Sequence, residues 1–189
     1  MPTVRVGPSP SARHWHGVTL VELLVAVAIG AILLSLAIPS FTTLLMNNRA
    51  TAQTNALLNG LNFARSTALS KNVNVQLCPI GALSSATCGS NWATGWIVAT
   101  QPVTGASTLL QSYQAGTREA KLSTVVIAGV AATAVQFDPR GLATTPANFK
   151  FCDGRGASAA RSLQVQATGF AQSGPTQGQA IWGGALTCP

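Results

Sequence analysis

The sequence predicts an α+β fold, with one long N-terminal helix followed by small antiparallel strands. Three observations carry that expectation. Leu20–Ile38 is a run of nineteen residues with a single charge, Glu22, about the length of a helix that crosses the hydrocarbon core of a bilayer. Further on, Leu57, Leu61, Ala64 and Ala68 recur at offsets of 4, 7 and 11, which is one apolar face of an α-helix. From Val73 the period changes to two. Val73, Val75 and Leu77 alternate with polar residues, the signal of a half-buried strand.

Composition fits one domain with a membrane appendage. Of 189 residues, 47% are hydrophobic and only 8% charged. The formal charge of +7 comes from eleven basic and four acidic residues. A basic balance can mark contact with nucleic acid or an anionic surface, but here the cations are scattered singly and only folding can gather them.

The N-terminal element comes first. Arg5 and Arg13 precede the apolar run, and the next basic residue is Arg49. The positive-inside rule then leaves residues 1–17 in the cytoplasm and exports the remainder. Two plain readings of the run are a removable secretory signal, with Ser35–Ala37 as a small-residue cleavage site, and a simple signal anchor. Glu22 argues against both, because a carboxylate there costs roughly 2–3 kcal/mol or more depending on depth. Cleavage after Gly17 supplies a reason for it. The new amine of Val18 and the carboxylate of Glu22 then neutralise one another, within a chain or between neighbours.

The second element is the continuation of the helix over residues 40–72. Gln53, Asn55, Asn59 and Asn62 supply polar positions around the apolar face. Gly60 weakens the helix by about 1 kcal/mol relative to alanine, and Lys71 and Asn72 suit its end. A helix from Val18 to Asn72 is roughly 80 Å long at the standard rise. Its first half has no soluble partner and belongs in lipid or between sister helices. The third element is the β-rich part, residues 73–189. After the strand at Val73–Cys78, strands are expected at Trp96–Thr100, Thr108–Tyr113, Ser123–Ala128, Ala134–Phe137, Phe149–Cys152 and Ser162–Ala167, separated by Gly/Pro/Asn/Thr clusters.

Four cysteines, Cys78, Cys88, Cys152 and Cys188, show no C-x-x-C pair, so zinc is not expected. In an exported domain an even count reads as two disulfides. Three connectivities are open. The favoured pairs are Cys78–Cys88, closing a short Gly/Ser/Ala loop, and Cys152–Cys188, pinning the C-terminal tail. Four buried thiols are the competing reading.

No catalytic constellation is evident. Both histidines, His14 and His16, lie before Gly17. Asp138 and Asp153 each precede a turn and are expected to bond their own backbone. Trp92 and Trp96 are expected in the core beside the first disulfide loop. No enzyme activity, cofactor or metal is expected.

The segment GVTLVELL, Gly17–Leu24, resembles the type III signal of type IV pilins and type II secretion pseudopilins. The resemblance implies a prepilin peptidase that cuts after Gly17 and methylates Val18, with Glu22 aiding filament assembly and Pro39 where many relatives carry a helix-bending proline. Val18 departs from the more usual phenylalanine or methionine. The stretches LNGLNFARSTALSKNVNVQLC, NWATGWIV, FDPRGLAT and FKFCDGRGASAARSLQVQATG are similar to blocks of the GspH/FimT branch. That implies a pilin-like fold with the helix on two small antiparallel sheets. It also implies a minor pilin or pseudopilin in the inner membrane, single-pass, with its C-terminal part periplasmic. Its partners would be other pilin-like subunits, the prepilin peptidase/methyltransferase and an inner-membrane assembly platform. Some members of the branch bind DNA through a Gly-Arg-x-Arg motif. Here TGFAQ, Thr168–Gln172, aligns with it, and Phe170 and Gln172 replace the two arginines. Losing two phosphate partners weakens such binding. Arg140, Lys150, Arg155 and Arg161 remain as candidate DNA contacts.

Overall fold

The computed structural model describes residues 17–82, 85–126 and 131–188. The expected leader, apart from Gly17, therefore lies outside the described residues, as do Arg5, Arg13, His14 and His16. One helix, α1 (Leu20–Lys71), runs for 52 residues and includes Pro39. Asn72 ends it with a φ of 54°, the left-handed conformation that asparagine tolerates just past a helix. The chain divides at Thr42/Thr43 into two units.

In the first unit the apolar side chains of α1 face outward. Leu20, Val21, Leu33 and Leu36 are each well exposed, and the helix is long and apolar enough to cross a membrane.

The second unit carries α1 from Thr43 onward and eight strands: β1 (Asn74–Pro79), β2 (Gly95–Gln101), β3 (Leu109–Gln114), β4 (Lys121–Val125), β5 (Val135–Phe137), β6 (Ala147–Cys152), β7 (Arg161–Val165) and β8 (Ala171–Ser173). They form two four-stranded antiparallel sheets in the orders β3-β2-β1-β5 and β4-β6-β7-β8. The expected strand over 123–128 starts two residues earlier, and residues 127 and 128 lie outside the described residues. Strand β8 was not anticipated, because Ala-Gln-Ser has neither alternation nor β-branched residues.

One core joins the helix to both sheets. Leu57, Leu61, Ala64 and Ala68 of α1 are fully buried with Val75, Leu77, Val98 and Phe137 of the first sheet and Phe149, Phe151, Leu163 and Val165 of the second. Trp92 and Trp96 are buried in it. Trp92 meets Phe149 edge-on at 4.9 Å and donates its indole N–H to the carbonyl of Ala132 at 3.0 Å. Trp96 stacks on Tyr113 at 5.4 Å. Gln53 is expected only as one of the polar positions around the apolar face of α1. It is buried and donates to the Ala120 carbonyl at 2.8 Å, tying α1 to the start of β4.

The other face of the second sheet is covered by the chain's own C-terminal tail. Ser162 of β7, fully buried, donates to the Gln179 carbonyl at 3.0 Å and accepts from the Ile181 N–H at 3.2 Å. A small second cluster of Cys152, Ala160 and Leu186, with Trp182 against it, fills the space between tail and sheet.

Candidate functional site

The first candidate site is the start of α1. Gly17, Val18 and Thr19 are not helical, and helix begins at Leu20. Thr19 sets that boundary. Its Oγ1 accepts the backbone N–H of Glu22 at 3.2 Å, satisfying one of the donors that a helix N-terminus leaves open. Thr19-Leu-Val-Glu22 is thus a capping-box sequence, and the Glu22 carboxylate sits in the first turn, where the helix dipole favours negative charge. Sequence reasoning treated Glu22 solely as a partner for an amine. The S/T-x-x-E spacing was the signal that it overlooked. The Gly17–Val18 peptide bond lies in exposed non-helical chain immediately before the cap.

Pro39 stays within the helix. It offers no N–H to the carbonyl of Ser35. Nearby hydroxyls bond back to the helix: Ser35 to the Ile32 carbonyl at 2.7 Å and Thr42 to the Pro39 carbonyl at 2.9 Å.

In the second unit, the cysteines form two disulfides, Cys78–Cys88 and Cys152–Cys188, with Cα atoms 5.6 and 5.8 Å apart. The first closes the loop after β1. The second fastens the tail to the end of β6.

Three of the four candidate DNA contacts are held by internal partners. Arg140 lies in the turn after β5 and pairs with Asp138 at 2.9 Å. Arg155 pairs with Asp153 at 2.6 Å and donates to Asn47 of α1 at 2.7 Å. Lys150 of β6 donates to the Thr187 carbonyl of the tail at 2.6 Å. Arg161 stands opposite Phe151, one register position from the Lys150–Ser162 pair, so Lys150 and Arg161 belong to opposite faces of the sheet. The TGFAQ segment, Thr168–Gln172, runs from the β7–β8 turn into β8, with Phe170 52% exposed just before the strand.

Asp138 and Asp153 organise turns. Asp138 Oδ1 accepts the N–H groups of Arg140 and Leu142, both at 2.9 Å. Asp153 Oδ1 accepts the N–H of Arg155 at 2.9 Å. The Leu142 N–H, with help from Arg140, holds the Asp138 carboxyl below its ordinary range. The Arg155 guanidinium does the same for Asp153 and is itself held protonated more firmly by it. Burial, with the Glu119 carboxylate accepting its hydroxyl at 2.7 Å, pushes the Tyr113 phenol up.

Arg65 is the residue that sequence reasoning missed. From α1 it donates to the carbonyls of Gly141 at 3.0 Å and Thr168 at 3.2 Å, so one guanidinium holds the turns of both FDPRGLAT and QATG. Both turns need glycine: Gly141 and Gly169 have φ of 78° and 77°, and a side chain at Gly169 would run into the Gly141 carbonyl.

Comparison with known proteins agrees with this architecture. Residues 16–38 match the prokaryotic N-terminal methylation motif. The type II transport protein GspH family matches residues 53–169, more than half of the chain. Among solved structures, the type IV minor pilin FimU of Pseudomonas aeruginosa is similar, at 17% identity and a TM-score of 0.53, over 68% of this chain and 90% of that one. The minor pseudopilin EpsH from the type 2 secretion system of Vibrio cholerae aligns at 7% identity and a TM-score of 0.49, over 66% and 95%. No curated protein matches the chain. The FimU likeness shows the pilin-like fold, a long N-terminal helix on two small antiparallel sheets, and with the GspH match running from Gln53, in the latter part of α1, through the β7–β8 turn, the chain belongs to the type II transport protein GspH family.

Proposed function

We propose that this chain is a structural subunit, a minor pseudopilin or minor pilin, that enters its filament through residues 18–39. The observation that carries the reading is the pairing of two independent matches, the N-terminal methylation motif over 16–38 and GspH over 53–169, with helix α1 (Leu20–Lys71) running from the first into the second. In this reading residues 1–17 are a leader removed between Gly17 and Val18, and Val18 becomes the N-methylated terminus. Residues 40–72 carry the helix into the periplasm, and 73–189 form the globular part. The prepilin peptidase/methyltransferase and an inner-membrane assembly platform are its processing partners, and the chain catalyses nothing itself.

The physical logic follows from the first turn. Exposed apolar side chains on α1 need lipid or sister helices, and burial stabilises each by about 1.5–3 kcal/mol. The Glu22 carboxylate is costly in either setting unless paired, and the Val18 amine is the cation that cleavage creates. DNA uptake gains no support, since the four cations proposed for it are separated or held internally. Mass spectrometry of the membrane-extracted protein tests the reading. The expected N-terminus is N-methylated Val18, and a mature terminus at Ile38 would restore the secretory-signal alternative.

A further inference from the structure

We infer that a basic groove on the second unit docks an acidic segment of a different pilin-like subunit. The inference rests on the subunit role proposed above and specifies one of its contacts. Beyond Gly17 the chain has nine basic side chains. Four are held by internal partners: Arg65 by two carbonyls, Arg140 by Asp138, Lys150 by the Thr187 carbonyl and Arg155 by Asp153 and Asn47. Arg161 has its Nε buried. Arg49, Lys71, Arg118 and Lys121 remain, and among the described residues none of them forms a salt bridge.

Three of these four, Arg49, Arg118 and Lys121, line a single groove of about 840 Å³. Arg49 comes from α1, Arg118 from the β3–β4 connection and Lys121 from the first position of β4, so it is the fold that brings them together. Met46 and Leu122 add apolar lining. Of the two carboxylates at the groove, Asp153 is ion-paired with Arg155, and Glu119, which accepts the Tyr113 hydroxyl but keeps its charge, offsets at most one of the three cations. The charge left without a partner is positive.

The chemistry selects the occupant. Among the described residues of its globular unit, a second copy of this chain offers little for the groove: Asp138 and Asp153 are ion-paired with Arg140 and Arg155, and Glu119 lies within the same basic groove, which repels its like. Nucleic acid fits poorly. Among the described residues no aromatic ring lines the groove to stack a base. A polypeptide segment with two or three Asp or Glu residues around an apolar side chain satisfies both the cations and the apolar lining. Such a segment makes assembly heterotypic, which suits a subunit present in few copies.

The test uses the full-length chain in its own cells, with a photo-cross-linking residue at Thr117, which lines the groove, and a control at Gln111 on β3. Irradiation should join Thr117, and not Gln111, to another pilin-like subunit at a segment bearing at least two carboxylates. The charge reversal Arg49→Glu/Arg118→Glu/Lys121→Glu should lower that adduct by about tenfold or more, since three attractive contacts become repulsive. The variant Arg49→Lys/Arg118→Lys/Lys121→Arg should retain it. All three positions are exposed, and unchanged protease resistance verifies folding. An adduct to a second copy, to phospholipid or to DNA overturns the inference, as does a yield unaffected by charge reversal. Filament preparations from the same cells separate the two readings. Absence of the unmodified chain from filaments sinks the subunit role itself. Presence, with a groove indifferent to charge, sinks only the docking inference.

Discussion

The backbone of Gly60 lies against the indole ring of Trp96, so closely that a methyl group added at Gly60 would sit 2.7 Å from Cζ3. In a helix glycine is about 1 kcal/mol worse than alanine, and propensity alone predicts that Gly60→Ala stabilises. The ring reverses the sign. Trp96 is 2% exposed and stacked on Tyr113, so it has no space into which to move, and overpacking costs about 1–3 kcal/mol. Gly60→Ala should therefore lose about 1 kcal/mol or more in denaturant melts of the detergent-solubilised mature chain, read by tryptophan fluorescence. A gain in stability would show that the ring shifts freely.

Glu22 has two candidate duties, and they separate cleanly. The helix cap runs from Thr19 Oγ1 to the backbone N–H of Glu22, which a side-chain substitution leaves in place. Charge pairing with the Val18 amine needs the carboxylate. Glu22→Gln should thus insert in the membrane normally yet fall out of filaments as completely as Glu22→Ala. Thr19→Val should cost the helix start about 1 kcal/mol, and Thr19→Ser should not. Filament recovery of Glu22→Gln at the unmodified level would remove charge from the assembly contact.

The parts of this fold legible in the sequence are those with a period. The apolar stripe of Leu57, Leu61, Ala64 and Ala68 and the alternation around Val75 each express one local geometry repeated several times. Turn carboxylates were legible too, since Asp138 and Asp153 bond backbone two to four residues away. What escaped has no local signal. Arg65 meets Gly141 and Thr168 across 76 and 103 residues of chain, and the Gly60–Trp96 contact crosses from α1 to β2. The groove cations Arg49, Arg118 and Lys121 come from separate elements, so scanning for a run of basic residues passes over them. β8 is held by pairing to β7 rather than by its own composition.

Acid should destabilise the globular part through two named groups. The Asp138 and Asp153 carboxyls are both held below their ordinary values, by the Leu142 N–H and by Arg155 respectively. A depressed folded-state pKa means stability that is present above the unfolded value of about 4 and is lost as pH falls through the folded value. Melting temperature should be level from neutral pH down to about 5 and fall below about 4. In Asp138→Asn/Asp153→Asn the neutral-pH value should be lower and the acid fall shallower. An acid limb unchanged by the double substitution would assign it to other groups.

The two disulfides should differ in reach. Cys152–Cys188 spans 36 residues and Cys78–Cys88 only 10, and loop-closure entropy gives about 4 and about 3 kcal/mol. Cys152→Ser/Cys188→Ser should free the tail from the second sheet, because Leu186 and the Thr187 carbonyl dock beside that bond. Limited proteolysis should then trim the chain after about residue 174 while the rest survives. Cys78→Ser/Cys88→Ser should instead open cleavage between β1 and β2. Equal resistance of the tail in both variants would mean that Ser162 and the small cluster around Ala160 hold it without covalent help.

Arg65 should be intolerant of lysine. Its guanidinium reaches two carbonyls in different turns from two nitrogens, Nε to Gly141 and a terminal nitrogen to Thr168. A lysine has one ammonium and cannot copy that fork. Hydrogen bonds from charged donors contribute about 1.5–3 kcal/mol each, so Arg65→Lys should lose roughly the value of one bond and Arg65→Met that of both. The loss should be local as well as global. Amides near Gly141 and Gly169 should exchange hydrogen faster in Arg65→Met, whereas those of β2 should change only through the drop in overall stability. The same turn carries Phe170, so a loosened Gly169 would also let that ring reorient. If exchange at 141 and 169 stays at the level of the unmodified chain, the Gly141 and Gly169 backbone geometry holds the two turns without the guanidinium, and Arg65 is a surface residue.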